Sequence, residues 1–344
     1  MNIRTLAPRS LVLVVALSGC VAPVDVGSEA EALTTPGLTQ VTSFGTNTSG
    51  LRMWKYVPAS MPPNAPLVVA LHACTQQAAA FTNSGWNAIA DKYKFYVLYP
   101  EQNSTNNALT CFNWAGSDTN PTTGENSTVN LTRAMGENQS IKEMIEKMKA
   151  DHGIDPKRIY VSGLSAGGAQ TALLLAVWPD VFAGGATFAG IGYYCTTNKN
   201  KVSTCLSPGI PRTAKEWGDL VRTKGDPGFA GPWPRISIWQ GANDSLVAVA
   251  NQTELMKQWT DVHGIPQTPS ASDTVGTVAR DIYRNSKGEP VVQVYKVPSM
   301  DHGIPIDPKN GCGTAGQYFL DKGICGVKLV ADDWGLNGPA STVD

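Results

Sequence analysis

The chain has 344 residues, 42% of them hydrophobic, enough to bury a full core as one large α/β domain or two smaller ones. Its 27 Lys and Arg stand against 28 Asp and Glu, and no Lys/Arg-rich run interrupts that balance. Nothing electrostatic therefore points to nucleic acid, which is not expected as a partner.

Residues 1–19 read as a leader of the lipoprotein type. Arg4 and Arg9 precede a short apolar run, Leu11 to Leu17, which meets Ser18-Gly19-Cys20. That is a charged n-region, an apolar region too short to cross a bilayer, and a small-residue processing site. Leu17-Ser18-Gly19-Cys20 resembles the lipobox of bacterial lipoproteins, in which the cysteine is lipidated and becomes the mature N-terminus. The alternative is a plain secretory signal with a chance cysteine. Parity favours lipidation at Cys20. Setting it aside from the seven cysteines leaves Cys74, Cys111, Cys195, Cys205, Cys312 and Cys325, an even set suited to three disulfides in an oxidising compartment. The expected location is the bacterial cell surface or outer membrane through that anchor, otherwise the medium. Residues 20–37 lack apolar periodicity and read as a flexible tether. Residues 38–344 read as one domain, without internal repeats, an interdomain linker or a second apolar run that could span a membrane.

Within that domain, "QVTSFG" and "LRMWKYVP" pattern as an opening hairpin. "PLVVALH" is a continuous apolar run, the mark of a strand buried on both faces. "GWNAIADKYK" predicts a helix and "FYVLYPE" the next strand. "NQSIKEMIEKMKADHG" places Ile141, Met144, Ile145 and Met148 at helical spacing and stops at a glycine. A strand from Arg158 to Val161 precedes the helix "SAGGAQTALLLAVWP", ended by Pro179. "RISIWQG" and "VVQVYKV" complete the series. Such alternation predicts an α/β fold with a mostly parallel central sheet and helices on both faces. An insertion after the sixth strand, residues 193–233, carries one predicted helix over "TAKEWGDLVR". It would either cap a cleft or decorate the surface.

Gly163-Leu164-Ser165-Ala166-Gly167 fits G-x-S-x-G, the nucleophile elbow, in its confirming context of strand before and helix after. Such a turn holds the serine in a strained backbone, and the flanking glycines remove Cβ atoms that would clash. Ser162 lies a turn early and lacks the paired glycines. A serine needs a base to take its proton and an acid to orient that base. Of four histidines, His152 and His263 each precede a glycine at a helix end, a common stop signal. His72 ends the strand "PLVVALH". His302, in a loop after "VVQVYKV", remains as the base. Asp244, in the loop after "RISIWQG", lies between nucleophile and base in the order this fold uses. Asp301 adjoins His302, and adjacent side chains seldom turn to meet each other. One oxyanion donor should be the N–H of Ala166, the other an N–H from the loop His72-Ala73-Cys74-Thr75-Gln76.

"VVALHACTQQAAAF", "YPEQN", "CFNWAG", "YVSGLSAGGAQT", "WPDVFAGGA", "WQGANDSLV" and "MDHGIPID" resemble successive blocks of the poly(3-hydroxybutyrate) depolymerase family of esterases. That family adjoins the feruloyl and acetylxylan esterases of the first carbohydrate esterase family. The blocks run in the family's order from about residue 38 to 335. The resemblance implies an α/β-hydrolase fold with Ser165 as nucleophile, Asp244 as acid, His302 as base and the backbone N–H of Cys74 as second oxyanion donor. Ala73 stands where these enzymes usually have glycine; if that position requires positive φ, alanine costs about 1 kcal/mol.

The same resemblance pairs Cys74 with Cys111. Cys195 with Cys205 and Cys312 with Cys325 are sequence neighbours able to close small loops, although six cysteines allow fifteen pairings. Trp114, in the "CFNW" block, is either a wall of the acyl site or a core residue. The expected activity is ester hydrolysis of poly(3-hydroxybutyrate) or its oligomers, with feruloyl or acetylxylan ester hydrolysis as the alternative. A hydrolase-like surface protein that binds without turnover is a reading of another class, and the complete Ser, Asp and His set weighs against it. Many extracellular depolymerases carry a further polymer-binding domain that this sequence does not show, which favours dispersed, short or amorphous substrate. No cofactor or metal is expected, since no His-Glu-x-x-His or close Cys/His quartet occurs. The chain is read as a monomer whose membrane contact would be the lipid anchor alone. Asn-x-Ser/Thr triplets at Asn103 and Asn126 are read as chance.

Overall fold

A computed structural model of the chain describes residues 37–119, 126–127 and 129–338. The leader, Cys20 and nearly all of the tether lie outside these described residues. The domain opens with the expected hairpin, β1 (Leu38–Val41) antiparallel to β2 (Arg52–Tyr56). β3 (Leu67–Leu71) follows, then a short helix α1 (Ala78–Phe81), α2 (Trp86–Tyr93) and β4 (Tyr96–Glu101). Every residue of β3 and of β4 is buried, which requires cover on both faces of the sheet. A small two-stranded ribbon, β5 (Ser117–Thr119) and β6 (Asn126–Ser127), precedes α3 (Gly136–His152).

α3 buries Ile141, Met144, Ile145 and Met148, the stripe that its helical spacing predicts. It stops where Gly153 turns left-handed at φ 61° and its N–H bonds the carbonyl of Lys149. β7 (Ile159–Leu164) runs three residues further than its apolar run, to the edge of the sheet, and hands over to α4 (Ala166–Val177). α4 ends two residues before Pro179. All 12 of its residues are buried. β8 (Gly184–Phe188) is the sixth strand that the placing of the insertion requires, though its two glycines carry no alternation to mark it. A side chain at Gly185 would lie 2.7 Å from Leu175 Cδ1 of α4, so helix and strand approach closely only because that position is bare.

β8 is the sixth strand of the large sheet, and the insertion follows it as expected. It holds α5 (Val202–Leu206), α6 (Ala214–Leu220) and a π-helical turn over Val221–Gly225. Thr213 and Glu216 close a capping box on α6. β9 (Arg235–Gly241), α7 (Ala250–Val262) and an antiparallel hairpin, β10 (Ala271–Val275) with β11 (Val278–Arg284), come next. β12 (Pro290–Val297), the short parallel pair β13 (Ile304–Ile306) and β14 (Phe319–Asp321), and α8 (Gly326–Asp333) complete the described chain. The hairpin β10–β11 escaped pattern reading because its first strand is polar and exposed.

The ten-stranded sheet has the order β1-β2-β4-β3-β7-β8-β9-β12-β11-β10. Its centre, β4 to β12, is parallel, with an antiparallel extension on each side. The register sets Leu71 opposite Gly163, Leu164 opposite Phe188, Phe188 opposite Trp239, and Gly241 opposite Val297. The C-terminal ends of five neighbouring strands are therefore level, and the loops that leave them share one edge. No helix among the described residues is long and apolar enough to cross a membrane.

Candidate active site

Ser165 sits at the end of β7 with φ 57° and ψ −117°, a backbone that a residue with a side chain adopts at a cost of roughly 1–3 kcal/mol. Its surroundings leave no alternative. A Cβ on Gly163 would lie 2.2 Å from the carbonyl oxygen of Gly167, and one on Gly167 would lie 2.2 Å from that of Leu71. Ser165 N–H donates to the Phe188 carbonyl at 2.9 Å, which stitches the turn to β8. α4 begins at Ala166, so the free N–H groups of its first turn lie beside the serine. Ser162 is fully buried in β7, and its hydroxyl has no hydrogen-bond partner among the described residues.

Asp244 and His302 come from the loops after β9 and β12. His302 Nδ1 lies 2.9 Å from Asp244 Oδ2 and 3.2 Å from Oδ1. The acid is itself held: Leu246 and Val247 N–H donate to its Oδ1 and Gln240 Nε2 to its Oδ2. With Nδ1–H given to the carboxylate, Nε2 is the nitrogen left to accept a proton. Ser165 and His302 line the same cleft. No hydrogen bond joins them among the described residues, a contact that in such sites tightens when substrate is held. Asp301 does not reach the imidazole. Its Oδ1 accepts the N–H of Ser245 at 2.8 Å and that of His302 at 2.7 Å, tying the loop of Asp244 to the loop of His302. These donors, Ser245 first, hold its carboxyl below the usual range.

His152 and His263 both stand at helix ends. His152 is the last residue of α3, and His263 caps α7 and contacts the Pro234 carbonyl at 3.1 Å. His72 has a defined place at the end of β3. Its Nε2 accepts the N–H of Gln102 at 3.0 Å, so its Nδ1 carries the proton and donates to the Ala73 carbonyl at 2.7 Å. Burial lowers its pKa and keeps it neutral. That carbonyl belongs to the peptide whose N–H is that of Cys74. Cys74 N–H has no acceptor among the described residues, and Cys74 and Ala166 line the cleft beside Ser165. The cost anticipated for Ala73 does not arise. Ala73 is absent from the positive-φ residues, and the turn instead falls on Thr75 at φ 62°.

The three disulfides pair Cys74 with Cys111, Cys195 with Cys205, and Cys312 with Cys325. The first joins the loop after β3 to the segment carrying Trp114. Trp114 is both things it could have been: it is buried, and it lines the cleft. The insertion divides in two. Val202 and Leu206 of α5, which the Cys195–Cys205 bridge staples, form a cleft wall. α6 packs on α7, where Trp217 Nε1 donates to Glu254 at 2.7 Å. The cleft, about 460 Å³, also takes in Leu109, Phe112, Leu246 and Tyr318, none of which the sequence reading singled out. Tyr318 stands edge-on to His302, with ring centres 5.4 Å apart. No periodicity marks such loop residues.

A strained serine between a parallel strand and a helix, with an Asp–His pair arriving from later strands of the same edge, belongs to the α/β-hydrolases. The chain is a serine carboxylic-ester hydrolase of that class. Residues 53–281 match the family described as esterase PHB depolymerase, and the chain belongs to it. It is 49% identical over 304 residues to poly(3-hydroxyalkanoate) depolymerase C of Paucimonas lemoignei, covering 88% of this chain and 70% of that one. It is 34% identical over 274 residues to an acetylxylan esterase of Coprinopsis cinerea, covering 78% and 69%. Among solved structures, the acetyl xylan esterase from Aspergillus awamori shares the fold with a TM-score of 0.71 at 24% identity, over 87% of this chain and 99% of that one. A poly(3-hydroxybutyrate) depolymerase from Bordetella parapertussis aligns with a TM-score of 0.50 at 15% identity, over 77% and 85%.

Proposed function

We propose that residues 38–344 form a catalytic unit that hydrolyses the ester bonds of poly(3-hydroxybutyrate) or its oligomers through an acyl-enzyme on Ser165. The observation that carries the mechanism is the hydrogen bond of His302 Nδ1 to a fully buried Asp244 carboxylate, set in one cleft with Ser165. His302 Nε2 takes the Ser165 proton as Oγ attacks the ester carbonyl. The N–H groups of Ala166 and Cys74 receive the charge on the tetrahedral oxygen. His302 then returns the proton to the departing alkoxide, and water repeats the sequence to release the acid.

The cleft supports an aliphatic polyester. Leu109, Phe112, Trp114, Val202, Leu206 and Leu246 line it, and among the described residues no Asp, Glu, Lys or Arg does. The greater identity to a polyhydroxyalkanoate depolymerase than to the acetylxylan esterase points the same way. Parallel assays on amorphous poly(3-hydroxybutyrate), hydroxybutyrate oligomers, methyl ferulate and acetylated xylan test this. Preferential turnover of the oligomers supports it, and faster turnover of ferulate or xylan esters refutes it.

Three disulfides fit a chain that matures in an oxidising compartment. We further propose, from Leu17-Ser18-Gly19-Cys20, that Cys20 is lipidated and anchors the enzyme at the bacterial surface. Labelling by a fatty-acid analogue, abolished by Cys20→Ser, is the expected result. An unlabelled wild type whose mature N-terminus lies beyond Cys20 contradicts it.

A further inference from the structure

Behind the cleft lies a carboxylate that the mechanism does not use. Glu137, in the first turn of α3, is fully buried, and no Lys or Arg pairs with it among the described residues. Four N–H donors converge on it instead. Its Oε1 accepts Gln102 Nε2 at 2.6 Å, Asn113 Nδ2 at 2.5 Å and Asn106 Nδ2 at 3.3 Å, and its Oε2 accepts the backbone N–H of Asn113 at 2.9 Å. These donors cannot turn away. Gln102 Oε1 is occupied by Asn103 N–H and Asn106 Nδ2, and Asn113 Oδ1 accepts from Asn107. Every site around the carboxylate therefore demands an acceptor.

Two arms leave this centre for the cleft. One runs through Gln102, whose own N–H donates to His72 Nε2, and His72 Nδ1–H then holds the Ala73 carbonyl. The Ala73–Cys74 peptide is thus held from its carbonyl side, and its N–H is that of Cys74, which lines the cleft and has no acceptor among the described residues. A hydrogen bond accepted by a carbonyl also polarises the amide and strengthens its N–H as a donor. The other arm is Asn113 itself, next to Trp114, reinforced by Gln102 Nε2 on the Cys111 carbonyl at 3.2 Å. Cys111 is bridged back to Cys74.

We propose that Glu137 is a positioning residue of the esterase, one buried carboxylate that sets both the oxyanion peptide Ala73–Cys74 and the cleft wall Cys111–Trp114. Burial pushes its carboxyl up to about 7 against the four donors. The four N–H donors favour the charged form and oppose that burial. The inference rests on the reading of Ser165 as nucleophile.

Glu137→Gln keeps the shape but turns an NH₂ toward donors that cannot flip. On a soluble p-nitrophenyl ester, kcat should fall roughly 10- to 100-fold with KM within about twofold. That is part of the 10²–10³ that deletion of one oxyanion donor costs. Affinity for a boronic acid that forms a tetrahedral adduct on Ser165 should fall by a similar factor, a change that a purely structural role would not produce. Should Glu137→Gln fail to fold, Gln102→Leu takes the same measurements, since it removes the Nε2 contacts to Glu137 and to the Cys111 carbonyl, so that the backbone N–H on His72 is no longer held from Glu137, and it leaves the Asn113 contacts. A folded variant whose kcat or boronate affinity stays within about twofold of wild type overturns the proposal. The two readings fail separately: an active Ser165→Ala protein sinks the nucleophile assignment, whereas an inactive one beside a normal Glu137→Gln sinks only this inference.

Discussion

Asp301 holds Ser245, not the imidazole beside it. Its Oδ1 accepts the Ser245 N–H at 2.8 Å and its Oδ2 lies 3.2 Å from the Ser245 hydroxyl, so the loop of His302 closes on the loop of Asp244. Asp301→Ala should lower kcat by about tenfold through misplacement of His302, the scale of a small positional error. Asp244→Asn should lower it by roughly 10⁴-fold, because an amide can hold the wrong histidine tautomer. Steady-state kinetics of the two purified variants compare them. Equal losses would contradict the division of roles.

Glu137 also predicts a pH dependence of stability. Its carboxyl is raised by burial from 4.5 to about 7, so the folded chain binds this proton more tightly than the unfolded chain. The contribution is fully present below 4.5 and is lost as pH rises through about 7, roughly 3 kcal/mol in all. Glu137→Gln should flatten that slope. Urea midpoints between these two pH values measure it, and parallel slopes for wild type and variant would refute the assignment.

The turn at Ser165 was legible because G-x-S-x-G is a steric requirement: both glycines lie where a Cβ would overlap backbone. His302 was found by elimination among four histidines, and Asp244 by its order along the chain. Glu137 was not legible, since in "GENQ" it reads as an ordinary acidic residue at a helix start. Its partners Gln102 and Asn113 converge only after β4 and the next loop fold against α3. Tyr318 escaped for the same reason, because it reaches His302 through the pairing of β13 with β14. His72 read only as the end of a strand, although its two ring contacts explain how the Ala73–Cys74 peptide is held.

The Cys74–Cys111 bridge, spanning a sequence separation of 37, should contribute about 2–4 kcal/mol of stability. Because it anchors the loop that carries the proposed oxyanion N–H of Cys74, Cys111→Ser should cost more activity than its loss of stability explains. Turnover measured well below the melting temperature separates the two effects. Full activity there, or a free Cys74 thiol in wild type, would defeat the idea.

Leu109 and Leu246 are 61% and 49% exposed, and both line the cleft that holds Ser165. Exposed leucines at one rim suit contact with a water-insoluble chain. Leu109→Asp with Leu246→Asp should cut hydrolysis of amorphous poly(3-hydroxybutyrate) particles by about tenfold or more, since two apolar contacts at roughly 1–2 kcal/mol each are lost. A soluble p-nitrophenyl acetate reaction should change little. Equal losses on both substrates would show that the double variant damages the catalytic centre instead.

The assignment of Ser165 is tested most directly by purified, folded Ser165→Ala assayed on hydroxybutyrate oligomers. The mechanism predicts a fall in kcat of several orders of magnitude, about 10⁶-fold where comparable serines have been removed, with the melting temperature retained. Near-normal turnover by that protein would contradict it.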